Sequence, residues 1–96
     1  MPIVFISPPG FTREQYEESV RRLVPGSDRL ASPSEWPVEG LLAHIAGDAP
    51  DGFRVVDVWE SRDALDRFAE IIVPLLGELG VEGEPEIYEA HTFVSA

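Results

Sequence analysis

The sequence predicts an α+β domain, a ferredoxin-like βαββαβ unit whose antiparallel sheet carries two helices on one face. Three observations predict it. Two stretches have the hydrophobic spacing of helices, and each opens on a capping residue. Four short runs rich in β-branched and aromatic residues surround them. The middle two runs are joined by a turn cluster with no helix between them. With 96 residues, the chain is read as one domain spanning 1–96.

The elements follow in order. Residues 2–7 (Pro2, Ile3, Val4, Phe5, Ile6, Ser7) form a continuous apolar run stopped by Pro8-Pro9-Gly10, a buried strand. Thr12 stands three residues before Gln15, the spacing of a capping box. Tyr16, Val20, Leu23 and Val24 then mark one helix face, ended by Pro25-Gly26. Residues 25–39 are a long connection rich in Pro and Ser, with Trp36 near its end, expected either to pack over the body or to move. A second strand is expected over 40–46, a turn over 47–52, and the clearest strand over 53–60. Ser61 caps a second helix with Asp63 in its first turn and a buried stripe of Leu65, Phe68, Ala69, Ile72, Leu76 and Leu79. Pro74 is expected to kink or split that helix near residues 70–74. Gly80 closes it, residues 82–85 are loop, and residues 86–94 are the last strand.

The strands do not alternate cleanly between apolar and polar. In the third, Phe53, Val55 and Trp59 share one face while Val56 and Val58 occupy the other. In the second, alternation sets Leu41 and Ile45 against Leu42 and Ala46. A sheet apolar on both faces must be covered on both. The helices cover one; a second copy of the chain is the simplest cover for the other, so a homodimer of C2 symmetry is expected.

Composition narrows the partners. The net charge of −11 repels polyanions and argues against nucleic acid and anionic membrane. No Cys is present, which removes disulfides, thiolate metal sites and Cys nucleophiles. All seven basic residues are Arg, so Lys Schiff-base chemistry is excluded. The N-terminal stretch lacks the basic flank and long apolar run of a signal peptide, and no run approaches a membrane span, so a cytoplasmic location is expected. The two His residues and scattered carboxylates have no metal-ligand spacing, and no Gly-rich phosphate loop stands between a strand and a helix; no metal or cofactor is expected.

The stretch from Phe53 to Phe68, with Val58-Trp59-Glu60-Ser61 at the end of a strand and an aromatic at Phe68 in the helix, resembles the signature of the antibiotic-biosynthesis-monooxygenase-like proteins of the dimeric α/β barrel superfamily. Gly40-Leu41-Leu42-Ala43-His44-Ile45-Ala46-Gly47 resembles the preceding strand in an uncharacterised, actinobacterial-type branch. The resemblance covers roughly residues 40–94 and is more specific for fold than for activity. It implies a dimeric barrel. Among the activities it brings are cofactor-independent, quinone-forming oxidation and haem degradation. In the characterised oxygenases the tryptophan matched by Trp59 lines a pocket between sheet and helices. Haem-degrading members use an Asn on the first strand and a His on the second helix. This chain has no Asn and no His between His44 and His91, which speaks against haem degradation.

Six residues are candidates for a site. Trp59 is a candidate pocket wall able to stack on an aromatic substrate, or a plain core tryptophan. Asp57 projects from the same face as Trp59, where an unpaired carboxylate is costly and its pKa tends to rise; it is a candidate general base, or a carboxylate tied by hydrogen bonds. His44 is brought opposite Asp57's strand by the turn, and a His–Asp pair can take a proton from a phenol; the alternative is a structural histidine. Phe68 is a candidate pocket wall, and Tyr16 and Tyr88 are candidate pocket hydroxyls or packing residues. His91 reads as an interface or surface histidine on the last strand. The charges Arg62, Asp63, Asp66 and Arg67 read as a solvated helix face with an Asp63–Arg67 pair.

The resulting readings are a monooxygenase-like enzyme acting on a small aromatic substrate without metal or flavin, a non-catalytic small-molecule binder, and a structural homodimer whose pocket has filled in. A cavity beside Trp59 favours the first two.

Overall fold

The computed structural model describes residues 2–24, 26 and 36–94. Its elements run β1 (Ile3–Ile6), α1 (Arg13–Leu23), β2 (Leu41–Ala49), β3 (Gly52–Trp59), α2 (Arg62–Glu78) and β4 (Glu86–Glu89). The four strands form one sheet in the order β2-β3-β1-β4, with every neighbouring pair antiparallel. This is the α+β, ferredoxin-like arrangement.

Local chemistry sets the helix starts. Thr12 Oγ1 accepts from Gln15 N and Gln15 Oε1 accepts from Thr12 N, a complete capping box. Ser61 Oγ accepts from Ala64 N at the head of α2. Both helices lie on the same side of the sheet. Tyr16 and Val20 of α1, and Leu65, Phe68 and Ile72 of α2, join Ile3, Phe5, Val55 and Trp59 of the sheet in one buried cluster. Gly40 is required where β2 begins. Its φ is +106°, and a Cβ there would stand 2.7 Å from that of Ala64, so the close approach of this segment to α2 admits only glycine.

The elements depart from the sequence reading in several places. Of the kink or split expected near Pro74, the split does not occur: α2 runs unbroken through it. The residue is exposed, so the carbonyl it leaves without a donor can face water, while Phe68 and Ile72 before it and Leu75 and Leu76 after it hold the turns against the core. The turn between β2 and β3 is shorter than 47–52. Gly47 and Asp48 pair with Arg54 and Phe53, and only Pro50 and Asp51 remain between the paired Ala49 and Gly52. β4 ends at Glu89 rather than 94. One further backbone bond, Ala90 N to Pro2 O, reaches the end of its partner strand, because β1 itself offers only four residues to pair with. His91 therefore lies outside the strand, exposed. The ion pair on the first turns of α2 is Arg62–Asp66, not Asp63–Arg67. Of the 25–39 connection, residues 25 and 27–35 lie outside the described residues; Trp36 is buried.

Strand β2 carries the departure that matters most. Leu41 pairs with Trp59 and Ala43 with Val58, so Leu42 is an extra residue, a β-bulge. Strict alternation would keep Leu41 and Ile45 on one face. With the bulge, Leu41 is buried beside Trp59, and His44 also points beneath the helices, opposite Asp57, while Ile45 turns to the outer face.

That outer face is apolar along its middle and charged at one end, where Arg54 and Glu86 project. Val4, Ile6, Val56 and Val58 lie along its middle, with Ile45 on one edge strand and Tyr88 on the other. Ile45 is 65% exposed and Tyr88 53%. Among the described residues no helix is long and apolar enough to cross a membrane.

Candidate functional site

The side chains beneath the helices meet at the junction of β2, β3 and α1. His44 and Asp57 are cross-strand partners, and the His44 Nδ1 to Asp57 Oδ1 distance is 2.5 Å. The Tyr16 hydroxyl, reaching down from α1, lies 2.7 Å from His44 Nε2. The three groups form a continuous relay. An ionised carboxylate only accepts, so Asp57 holds the His44 proton on Nδ1 and leaves Nε2 to accept from the Tyr16 hydroxyl. Both members of the His–Asp pair are nearly enclosed, with side-chain exposures of 8% and 3%. Burial pushes the Asp57 pKa up from the ordinary carboxylate range, and the hydrogen bond and charge attraction of His44 oppose that rise.

The relay opens on a pocket between sheet and helices, lined by Tyr16, His44, Asp57 and Ser19 and by the apolar side chains Phe5, Phe11, Trp36, Val55 and Phe68, among others. Its cavity volume is about 30 Å³. The aromatic rings close on one another. Tyr16 stacks over His44 at 5.7 Å, Trp36 lies 5.7 Å from His44 and 5.4 Å from Phe68, and Phe68 lies 4.9 Å from Trp59.

Of the six candidates, the structure thus brings Tyr16, His44, Asp57 and Phe68 to one pocket. Two it does not. Trp59 is fully buried but stands behind Phe68, outside the pocket lining, because its position at the end of β3 carries it past the relay toward the start of α2. Tyr88 pairs with Val4 and so projects from the outer face, away from the helices. The sequence reading overlooked Trp36 as a pocket residue. Its signal was a large aromatic side chain in a polar connection, where burial against the body is the common outcome.

Among the described residues, the buried side-chain nitrogens Trp36 Nε1 and Trp59 Nε1 have no hydrogen-bond partner. Each such donor costs about 1–3 kcal/mol relative to a satisfied one. No cluster of three or more His, Asp or Glu able to hold a metal ion occurs among the described residues.

No protein-family model matches the chain, and no curated protein matches it significantly. Solved structures do. A candidate monooxygenase from Shewanella loihica PV-4 superposes with a TM-score of 0.57 at 21% identity, over 96% of each chain. The monooxygenase ActVA-Orf6 of Streptomyces coelicolor, in complex with the ligand nanaomycin D, superposes with a TM-score of 0.51 at 21% identity, over 99% of this chain and 92% of that one. The fold is therefore shared, nearly end to end, with monooxygenase-type structures, one of which holds a small molecule.

Proposed function

We propose that this protein is a monooxygenase-like enzyme that oxidises a small hydroxylated aromatic compound in the pocket beneath its helices, without metal or flavin. The observation that carries the reading is the Asp57–His44–Tyr16 relay, buried at one end and opening on an aromatic-lined pocket at the other. His44 is the base, Asp57 holds its tautomer and stabilises the imidazolium, and the Tyr16 hydroxyl passes the proton inward. The phenolate so formed is electron-rich enough to reduce dioxygen. One oxygen atom bonds to the ring and becomes a quinone carbonyl; the other leaves as water with the two hydrogens the phenol has lost. The phenol supplies all four electrons, so no external reductant enters the balance. The monooxygenase-type neighbours support this reading at the level of fold.

Oxygen uptake by the chelator-treated protein, measured with a panel of phenols and naphthols, tests it. One oxygen consumed per quinone formed, above the spontaneous rate, is the expected result; uptake no faster than without protein would reject the enzyme.

A non-catalytic binder or structural homodimer remains the second reading, favoured by one observation. The interior volume of about 30 Å³ holds only water-sized bodies unless wall side chains move.

Either reading places a homodimer on the outer face. Its support is the row of apolar side chains there, with Ile45 and Tyr88 both more than half exposed. Ile45→Glu is expected to convert a dimer to a monomer in analytical ultracentrifugation, since it would bury an unpaired carboxylate in an apolar interface. A wild-type monomer at micromolar concentration would remove the proposal.

A further inference from the structure

Gln15 is the chain's one side-chain amide: the sequence has 18 Asp and Glu residues, no Asn and no second Gln. It stands in the first turn of α1, immediately before Tyr16, whose hydroxyl closes the relay. The capping box does not by itself call for an amide. A Glu at that position completes the box equally well, and its charge is favoured at a helix N-terminus. What a carboxylate cannot do is donate. Gln15 both accepts and donates. Its Oε1 accepts from Thr12 N at 3.0 Å, and its Nε2 donates to Leu79 O at 3.2 Å. Only this orientation of the amide satisfies both partners, an N–H on one side and a carbonyl on the other. Leu79 is the C-cap of α2, and its carbonyl is among those a helix end leaves without an intrahelical donor. One side chain thus joins the head of α1 to the tail of α2.

The place of this tie matters for the relay. Tyr16 reaches from α1 to His44 on the sheet, so a displacement of the helix head is carried to its hydroxyl. The apolar packing of Tyr16 and Val20 is non-directional and permits small slides, whereas a hydrogen bond between fixed partners resists them. A second tie between the helices, Arg22 to Glu78, joins side chains 43% and 70% exposed, where water screens the charges. The Gln15 bond is partly buried and adjoins the relay residue in sequence.

We propose that Gln15 is a positioning residue: by tying the start of α1 to the end of α2, it keeps the Tyr16 hydroxyl in line with His44 Nε2. It is not among the residues lining the pocket and acts through Tyr16. This rests on reading the relay as the path of the phenol's proton, and it adds what holds that path in register.

Gln15→Glu separates the two roles of the side chain, since it keeps the capping box and loses the donor to Leu79 O. In oxygen uptake with a phenol, kcat is expected to fall by about tenfold to a hundredfold, the effect of a misplacement on the order of 1 Å, with KM unchanged. Arg22→Gln, which removes the exposed tie, is expected to keep the wild-type kcat. Imidazole nitrogen NMR reads the relay without turnover. The chain has two histidines, and the exposed His91 serves as the reference. An acceptor nitrogen moves downfield on losing its donor. His44 Nε2 should therefore move downfield in Gln15→Glu, toward its position in Tyr16→Phe, while His91 stays. An unmoved His44 resonance in Gln15→Glu, or a loss of equal size in Arg22→Gln, would overturn the assignment. A moved resonance with unchanged kcat, or with no oxygen uptake by the wild type, would instead refute the proton path and leave Gln15 as the residue that aligns Tyr16. If Gln15→Glu folds poorly, the unaltered protein decides. Its single carboxamide gives one pair of amide proton signals, and the proton donated to Leu79 O should lie downfield of its twin and exchange with water more slowly. Two protons exchanging at the rate of a free glutamine amide would overturn the proposal.

Discussion

Asp57→Asn is expected to lower phenol oxidation by about 10²–10⁴-fold, the range lost when a positioned general base is disabled, while leaving the fold intact. The carboxylate accepts from His44 Nδ1–H and thereby keeps Nε2 free to accept from the Tyr16 hydroxyl. An asparagine amide can donate to Nδ1 instead, which moves the imidazole proton to Nε2 and blocks it as an acceptor. It also cannot stabilise an imidazolium by charge. Steady-state oxygen uptake reads the loss, and a variant as fast as wild type would eliminate His44–Asp57 as the base.

The same substitution has a stability signature of opposite sign. Burial raises the folded-state pKa of Asp57 above the ordinary value of 3.8. Between the two values the folded chain holds a proton that the unfolded chain has released. The carboxyl's contribution to stability is therefore full below the unfolded pKa and is lost as pH rises through the folded one. Thermal unfolding of wild type and Asp57→Asn from acid to neutral pH should show wild type losing ground to the variant as pH rises. Activity and stability moving in opposite directions would mark Asp57 as a group kept for chemistry rather than for folding.

Trp59→Ala is expected to destabilise the chain by about 3–5 kcal/mol, read from urea unfolding. The residue is fully buried, it pairs across the sheet with both Ile3 and Leu41, and its ring lies 4.9 Å from that of Phe68. Its removal leaves a cavity where three strands and α2 meet, and the backbone there is held by the Gly40 approach to Ala64, so little collapse is available to fill it. Against a total of about 5–15 kcal/mol for a domain, such a loss leaves little margin. A destabilisation below about 1 kcal/mol would show that the site relaxes freely, contrary to the packing described.

Much of the fold was legible because its signals are local. The Thr12–Gln15 box and the Ser61 cap announce both helices, and the apolar runs around 2–7 and 53–60 announce the central strands β1 and β3. The apolar patterning of both strand faces likewise anticipated the hydrophobic outer surface. The misreadings arose where long-range packing outweighed local preference. Pro74 was expected to kink or split its helix; the split is prevented because residues on either side of it are buried against the core. Gly47 and Asp48 are turn formers, yet the ladder carries on through them to a two-residue turn.

The site was legible only in part, for the same reason. His44 and Asp57 could be set side by side by counting back from the turn. That Tyr16 closes the relay depends on how α1 lies across the sheet, which no short-range pattern encodes. Trp59 and Tyr88 show the limit from the other direction. Each has the chemistry of a pocket residue, but position along the strand places one behind Phe68, and pleat parity turns the other outward.

The bulge at Leu42 has a consequence for how this chain compares with its kin. It is one spare residue, and the pairings on either side, Leu41 with Trp59 and Ala43 with Val58, are those of an unbroken ladder with Leu42 omitted. A descendant that lost this single codon would keep its histidine opposite the same aspartate. A relative that kept the residue but straightened the strand would swing its histidine to the opposite side of the sheet. Matching such chains column by column, without a gap at this position, would therefore align histidines that do different jobs and miss histidines that do the same one.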